Sequence, residues 1–185
     1  PAPPPYLSAL HGLDAMVRSL LEAGADKDVA MNVGATPLYA AAQEGHGEIV
    51  KLLVGEGANV DLARTDDGQT PLYLAAGRVD GEIVQRRGGA GAKVDLAKSD
   101  IGATPLFIAA NLGKTDIVRL LLARGSYTAL AHPGLPGAPP LFLAARAGYV
   151  PIIAALIEAG ATAVIQPGGS KADDKAVSYT HLRAH

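Results

Sequence analysis

Residues 36–58 read TPLYAAAQEGHGEIVKLLVGEGA, and this stretch decides the fold. Thr36 can cap a helix through its hydroxyl, and Pro37 suits the first helical position because it has no amide proton to leave unbonded. Gly45 can adopt the left-handed conformation that ends this short helix. Glu48 then opens a second helix, since its charge is favourable near the positive end of the helix dipole. The apolar stripe of the second helix comprises Ile49, Val50, Leu52 and Leu53, and Gly57 ends it.

The same pattern recurs along the chain at intervals of 34 residues, with the last copy one residue late. The opening motif reads Thr36-Pro37-Leu38-Tyr39, Thr70-Pro71-Leu72-Tyr73, Thr104-Pro105-Leu106-Phe107 and Pro139-Pro140-Leu141-Phe142. A frayed copy precedes these, with Pro4-Pro5-Tyr6-Leu7 as a hint of its first half. One helix pair cannot bury both of its faces, whereas stacked copies can. The pattern therefore predicts an all-α solenoid of five units, at approximately 4–30, 31–64, 65–98, 99–133 and 134–165.

Composition excludes several classes of function. The 16 basic and 18 acidic side chains give a net charge of −2, which argues against a protein that neutralises many phosphates of a nucleic acid. The absence of cysteine excludes disulfides, thiolate zinc sites and thiol catalysis. No run of 18 uncharged apolar residues is present, so no membrane-spanning helix is expected. No phosphate loop, calcium loop or catalytic trio emerges from the sequence, so no metal, cofactor or enzymatic activity is expected.

The Thr-Pro-Leu-aromatic, Ala-Ala, Gly-His, Ile-Val, Leu-Leu and Gly-Ala motifs resemble the ankyrin repeat, over nearly the whole of residues 1–165. The resemblance implies helix-turn-helix units with β-hairpin-like fingers between them. It also implies a concave groove, lined by the fingers and the first helices, that binds another protein. The sequence departs from the family in having an aromatic residue where the family has histidine after Thr-Pro-Leu. Most units are also one residue longer than the family's.

Two recurring features have competing interpretations. The aromatic column of Tyr39, Tyr73, Phe107 and Phe142 is either a hydrophobic binding ladder or a set of rings that pack against the next unit. Packing is favoured, because the rings recur whatever the surface sequence around them. His46, at the family's Gly-His position, is expected to be structural for the same reason.

Positions that vary between units are the candidates for contact with a partner, because stacking does not dictate them. By match to the family pattern they lie at the finger tips and on the groove side of the first helices. They are Asn32, Val33, Ala35, Gln43, Glu44, Asp66, Asp67, Gln69, Arg78, Asp100, Ile101, Asn111, Leu112 and Arg146. The finger positions are mildly acidic and suggest a partner of basic character.

These observations favour a monomeric protein-interaction module or scaffold that binds another protein, with no nucleic acid or membrane partner. The alternative is a targeting or regulatory segment of a larger multidomain protein, such as an enzyme or a channel. The chain opens on Pro1 and is expected to be a fragment. The lack of cysteine and of a visible signal peptide favours an intracellular protein.

The third unit is expected to be the weakest part of the array. Aligning residues 85–89 with residues 51–55 places Arg86 and Arg87 where two core leucines belong. Burial of unpaired charge is costly, so this second helix is expected to bend or unwind. The arginines are interpreted as a decayed or mis-sequenced repeat, with a basic patch or hinge as the alternative.

The C-terminal residues differ from the repeats. Residues 166–176 contain no repeat motif and are expected to form a disordered linker. Residues 177–185 read VSYTHLRAH, which resembles one reading frame of a common sequencing-library adapter. Adapter read-through is therefore expected there, with a genuine disordered tail as the alternative.

Overall fold

The computed structural model describes residues 2–78, 93–98, 102–128 and 139–161. Within these ranges every regular element is an α-helix and no strand occurs. The helices are α1 (Pro4–Leu10), α2 (Asp14–Glu22), α3 (Pro37–Glu44), α4 (Gly47–Gly55), α5 (Pro71–Arg78), α6 (Pro105–Asn111), α7 (Thr115–Ala123), α8 (Pro140–Ala147) and α9 (Val150–Glu158). The first unit, whose opening motif is frayed in sequence, has a complete helix pair. The second helix of the third unit lies outside the described residues.

The predicted helix starts are confirmed by their hydrogen bonds. The Thr36 hydroxyl accepts the Tyr39 amide at 3.2 Å, and the equivalent bonds at Thr70 and Thr104 are both 3.1 Å. All three threonines are buried, so the caps satisfy amides that solvent does not reach. Gly45 ends α3 in the left-handed conformation, as its position in the sequence predicts.

The helices form two layers. The first helices of successive units pack in the order α1, α3, α5, α6, α8, while α2 packs on α4 and α7 on α9 in the second layer. Apolar side chains of both layers meet in one core. Its fully buried members include Leu38, Ile49, Leu53, Leu72, Leu106, Ile117, Leu121, Ile152 and Leu156. The all-α repeat solenoid predicted from the sequence is therefore confirmed.

Two of the described turns between paired helices stack through a ring placed on a glycine of the preceding unit. His46 lies over Gly12, where an added Cβ would be 2.7 Å from the imidazole Cε1. Its Nε2 also lies 3.2 Å from the Leu10 carbonyl oxygen, to which it can donate a hydrogen bond. Tyr149 lies over Gly113 in the same way, 2.8 Å from an added Cβ. These contacts agree with a structural role for His46 and assign the same role to Tyr149.

Carboxylates link the loops that follow the second helices. Asp28 Oδ1 accepts the backbone amide of Asn59 at 2.8 Å, and Asp95 accepts that of Tyr127 at 3.1 Å. Burial raises the pKa of Asp95, and the hydrogen bond from the Tyr127 amide offsets only part of that rise. The two bonds connect adjacent units outside the apolar core.

The weak-link prediction for the third unit concerns residues 79–92, which lie outside the described residues, and it stays a prediction. The same holds for the expected linker at 166–176 and the adapter-derived segment at 177–185.

Candidate functional site

The fingers are tight turns closed by backbone hydrogen bonds rather than regular strands. In the described residues the closing bonds are Met31 N–H to Ala35 O, Arg64 N–H to Gln69 O and Lys98 N–H to Ala103 O, each 2.9 Å long. A further bond of 2.9 Å, from Thr65 N–H to Val33 O, joins the first finger to the second. Backbone hydrogen bonds therefore close each described turn and tie the first finger to the second.

A buried tyrosine connects the first helix of the second unit to the following finger. The Tyr39 hydroxyl donates to Gln69 Oε1 at 2.8 Å and accepts from Arg64 Nη1 at 3.2 Å. The Arg64 guanidinium carbon lies 5.5 Å from the centre of the Tyr39 ring, within range of a cation–π interaction. Because Tyr39 is only 3% exposed, this contact holds the finger against the helix layer from inside.

Arg64 and Lys98 balance the two carboxylates of the second finger. Arg64 Nη2 donates to Asp66, and its Nε lies 3.9 Å from Asp67 Oδ1. Lys98 of the next finger reaches Asp67 Oδ2 at 3.8 Å. The hydrogen bond to Tyr39 and then that to Asp66 raise the pKa of Arg64 against the opposing effect of burial. Desolvation would raise the pKa of Asp66, but the hydrogen bond and charge of Arg64 outweigh it and lower this pKa.

The structure brings the predicted finger residues Asp66, Asp67 and Gln69 together, but it gives them partners within the chain. Gln69 Oε1 accepts a hydrogen bond from the Tyr39 hydroxyl, and the backbone N–H of Gln69 donates to Asp67 Oδ1 at 3.0 Å. Two carboxylates are thus matched by two cations, Arg64 and Lys98. At this finger the pairing offsets the acidic charge from which a partner of basic character was predicted, and the contribution of Asp100 lies outside the described residues.

The remaining predicted finger residues differ in accessibility. Asn32 and Val33 are exposed at the tip of the first finger. Ala35 is 3% exposed, so its side chain is closed to a partner and its place among the contact residues was wrong. It is buried because it closes the turn through its carbonyl and adjoins the capped start of α3. Asp100 and Ile101 lie outside the described residues.

The predicted residues at the ends of the first helices are accessible. Glu44, Arg78, Leu112 and Arg146 are exposed, while Gln43 and Asn111 are half-buried. Leu112 is 46% exposed, which is high for a leucine between two packed helices. Gln43 Nε2 donates to Glu44 Oε1 at 3.0 Å. We call the exposed set of Glu44, Arg78, Leu112 and Arg146 the helix row.

The aromatic column is mainly a packing feature. Tyr39 and Phe107 are 3% and 6% exposed, and Tyr73 packs with Phe107, Ala103 and Leu143. Phe142 is 38% exposed and is the one ring of the column that solvent reaches substantially. Packing against the next unit is therefore confirmed for the buried rings, and a continuous binding ladder is not formed.

Arg64 and Lys98 are the finger residues whose contacts reasoning from the sequence missed. Arg64 stands two and three positions before the acidic pair, and this proximity alone could have suggested an ion pair. Its contact with Tyr39, 25 residues away, and the contact of Lys98 with the preceding finger depend on how the units stack.

Other kinds of site find no support in the described part of the chain. Its histidine and acidic side chains form no group of three or more that could hold a metal ion. None of its helices has the length and apolarity needed to cross a membrane.

The stacked helix pairs and hydrogen-bonded fingers define a helical repeat protein. A family model described as ankyrin repeats (3 copies) matches residues 6–86 and 80–166, and the chain belongs to this family. No curated protein matches the chain significantly. Ankyrin repeats are generally protein–protein interaction modules, and the family is not a catalytic one.

Proposed function

We propose that the chain binds another protein through the face formed by its fingers and the ends of its first helices. One observation carries the proposal: the buried positions of the first helices hold similar residues from the second unit to the fifth, whereas the helix row holds different ones. Leu38, Leu72, Leu106 and Leu141 are all buried. Glu44, Arg78 and Leu112 occupy one equivalent position, seven residues after the opening threonine and proline motif, and all are exposed. Packing dictates the first set and leaves the second set available for recognition.

The finger contacts support this proposal by pre-organising the face. Hydrogen bonds within and between fingers, and from Tyr39 to Gln69 and Arg64, restrict the finger backbone before any partner arrives. Binding then loses less conformational entropy than it would with mobile loops. Asp67 and Gln69 accordingly support the face from within, while Asn32, Val33 and Asp66 are exposed to a partner.

Asp100 and Ile101 remain proposed contact residues by their equivalence to the second finger. Gln43 and Asn111 are proposed to contribute at the edge of the face, since each is half-buried.

The test is a paired loss-of-binding experiment on the full chain. Binders are selected from a display library of random peptides about 16 residues long, which is enough for roughly four helical turns. The face variant combines Val33→Ser and Leu112→Ser, at side chains that are 39% and 46% exposed. The matched control combines Leu13→Ser and Ile157→Ser, at side chains that are 46% and 42% exposed and lie outside this face.

We expect the face variant to lose most of the selected binders and the control to keep them. Equal loss in the two variants, retention in the face variant, or failure of the library to yield any binder would contradict the proposed binding face. Circular dichroism and melting of both variants serve to show that the fold is retained.

A further inference from the structure

Near the ends of α5 and α6 lies an apolar surface, which we call the central patch, formed by Gly77, Ile108 and Leu112. A Cβ added to Gly77 would lie 3.6 Å from Ile108 Cγ1 and 3.6 Å from Leu112 Cδ1, in ordinary van der Waals contact. The glycine therefore leaves open the apolar surface that an alanine would cover. Leu112 is 46% exposed and Ile108 is half-buried, so a partner's side chain can reach both.

Two arginines flank the central patch. Arg78 follows Gly77 on α5, and Arg146 lies on α8, which packs against α6 on its other side. Both are exposed, and within the described ranges neither forms an ion pair. The Arg78 guanidinium extends toward the end of α3, with Nη1 3.9 Å from the position of a Cβ on Gly45. Exposed cations thus stand on both sides of an accessible apolar surface.

The carboxylates of the neighbouring finger do not cancel this charge, because Asp66 and Asp67 are engaged by Arg64 and Lys98. Among the described first helices Glu44 is the one acidic residue, and it already accepts a hydrogen bond from Gln43. The helix row is therefore acidic in the second unit, basic in the third and fifth and uncharged in the fourth, although the chain as a whole has a net charge of −2.

We propose that the central patch binds an acidic peptide segment of the partner, with one apolar side chain seated against Leu112 and Ile108 and carboxylates paired with Arg78 and Arg146. This inference rests on the proposed function and adds the chemistry of the partner. A carboxylate matches a guanidinium with two parallel hydrogen bonds, and a buried apolar contact supplies most of the energy of a small interface. A basic segment at the same place would face like charge.

The experiment compares peptides selected by the wild-type chain with those selected by a charge-reversed chain, from the same random display library. The charge-reversed chain carries Arg78→Glu and Arg146→Glu. Its control carries Arg18→Glu and Arg119→Glu, which make the same change of charge at exposed arginines of the second helices α2 and α7. We expect wild type and control to select peptides rich in Asp and Glu around an apolar residue. The charge-reversed chain should select peptides rich in Lys and Arg.

A filled-patch variant separates binding from stability. Gly77→Ala introduces a Cβ without a clash and improves helix propensity, so its melting temperature should rise by roughly 2–4 °C. The same variant should bind synthetic copies of the selected acidic peptides with about tenfold lower affinity, which corresponds to roughly 1.4 kcal/mol of binding free energy. Raised ionic strength should lower the affinity for these peptides further, because salt screens the attraction between their carboxylates and the exposed arginines.

The outcomes distinguish this inference from the proposed function. If wild type and charge-reversed chain select peptides of the same charge, the inference is wrong even when the Val33 and Leu112 face variant loses them. If the Gly77→Ala variant binds the selected peptides with unchanged affinity, the apolar side chain of the peptide does not bind at the central patch. If the face variant loses no binder, the proposed function itself fails.

Discussion

The two ring-bearing turns, at His46 and Tyr149, and the helix row differ in what their side chains contact. His46 and Tyr149 differ chemically but are placed in the same way, because each ring lies over a glycine of the preceding unit. In the helix row, Glu44, Arg78 and Leu112 share no chemistry and no common contact. Contact with the preceding unit therefore constrains the turns that carry a ring, whereas the equivalent Leu13 and Lys114 carry none, and the helix row is left unconstrained. Substitutions in the turns should affect stability, and substitutions in the helix row should affect binding.

The largest expected effect comes from adding a methyl group beneath a stacked ring. Gly113 has φ of +71°, so Gly113→Ala places a residue in the left-handed region and directs its Cβ to 2.8 Å from the Tyr149 ring. The backbone strain and the displaced ring should together lower the free energy of unfolding by about 2–4 kcal/mol. Equilibrium unfolding in urea measures this loss.

Gly24→Ala provides the matched control, because Gly24 has φ of +83° and no atom within 4 Å of an added Cβ. Gly24→Ala should lower the free energy of unfolding only by the cost of the left-handed backbone conformation, about 1–2 kcal/mol. In a Tyr149→Ala background, Gly113→Ala should cost the same as this control. Equal losses for Gly113→Ala and Gly24→Ala in the wild-type background would show that the ring contact adds nothing.

The second effect concerns the finger network. Arg64→Ala removes the contacts with Tyr39, Asp66 and Asp67 and should lower the free energy of unfolding by about 1–2 kcal/mol. Arg18→Ala, at an exposed arginine of α2, is the control and should change it by no more than about 0.5 kcal/mol. A loss no larger than the control's would mean that the network does not stabilise the finger.

The same substitution should change the response to acid. Arg64 lowers the pKa of Asp66, so the stabilisation from their pair is present above the ordinary carboxyl pKa of about 3.9 and is lost as the pH falls through the lowered value. Arg64→Ala should therefore lose less stability than wild type between neutral pH and about pH 3. Urea unfolding at a series of pH values measures the difference. If the free energy of unfolding falls with pH equally in the two proteins, the Arg64–Asp66 pair does not stabilise the fold.

Much of the fold could be predicted from sequence because its signals are local. Thr36 followed by Pro37 specifies a helix start within four residues, and the structure shows the expected cap. The pairing of Arg64 with Tyr39 spans 25 residues. Tyr39 belongs to the recurring aromatic column and Lys98 is the basic equivalent of Arg64, but the sequence does not show that the two side chains meet. Ala35 was assigned to the surface by its place in the motif, whereas the contact of the finger with α3 buries it.

The smallest expected effect is at the loop carboxylate Asp95. Burial raises its pKa, so its contribution to stability is greatest below the ordinary carboxyl value and declines as the pH rises through the raised one. Asp95→Asn retains an oxygen for the Tyr127 amide without the charge, and should leave stability at neutral pH unchanged or raise it by up to about 0.5 kcal/mol. Asp95→Ala, which leaves that amide without its acceptor, should be less stable than Asp95→Asn. The reverse order would mean that the Tyr127 amide does not need this acceptor, and a clear loss of stability in Asp95→Asn relative to wild type would mean that the charge itself is needed.

The central claim is that side chains packed between units maintain the stack while the exposed side chains of the helix row bind the partner. It is tested most directly by measuring urea unfolding and peptide affinity on the same samples of two variants, Tyr149→Ala in the turns and Leu112→Ser in the helix row. We predict that Tyr149→Ala loses about 1–3 kcal/mol of unfolding free energy and keeps its affinity for the selected peptides. Leu112→Ser should lose no more than about 1 kcal/mol of stability and at least about tenfold in affinity. The opposite assignment, with binding lost in Tyr149→Ala and stability lost in Leu112→Ser, would contradict the account.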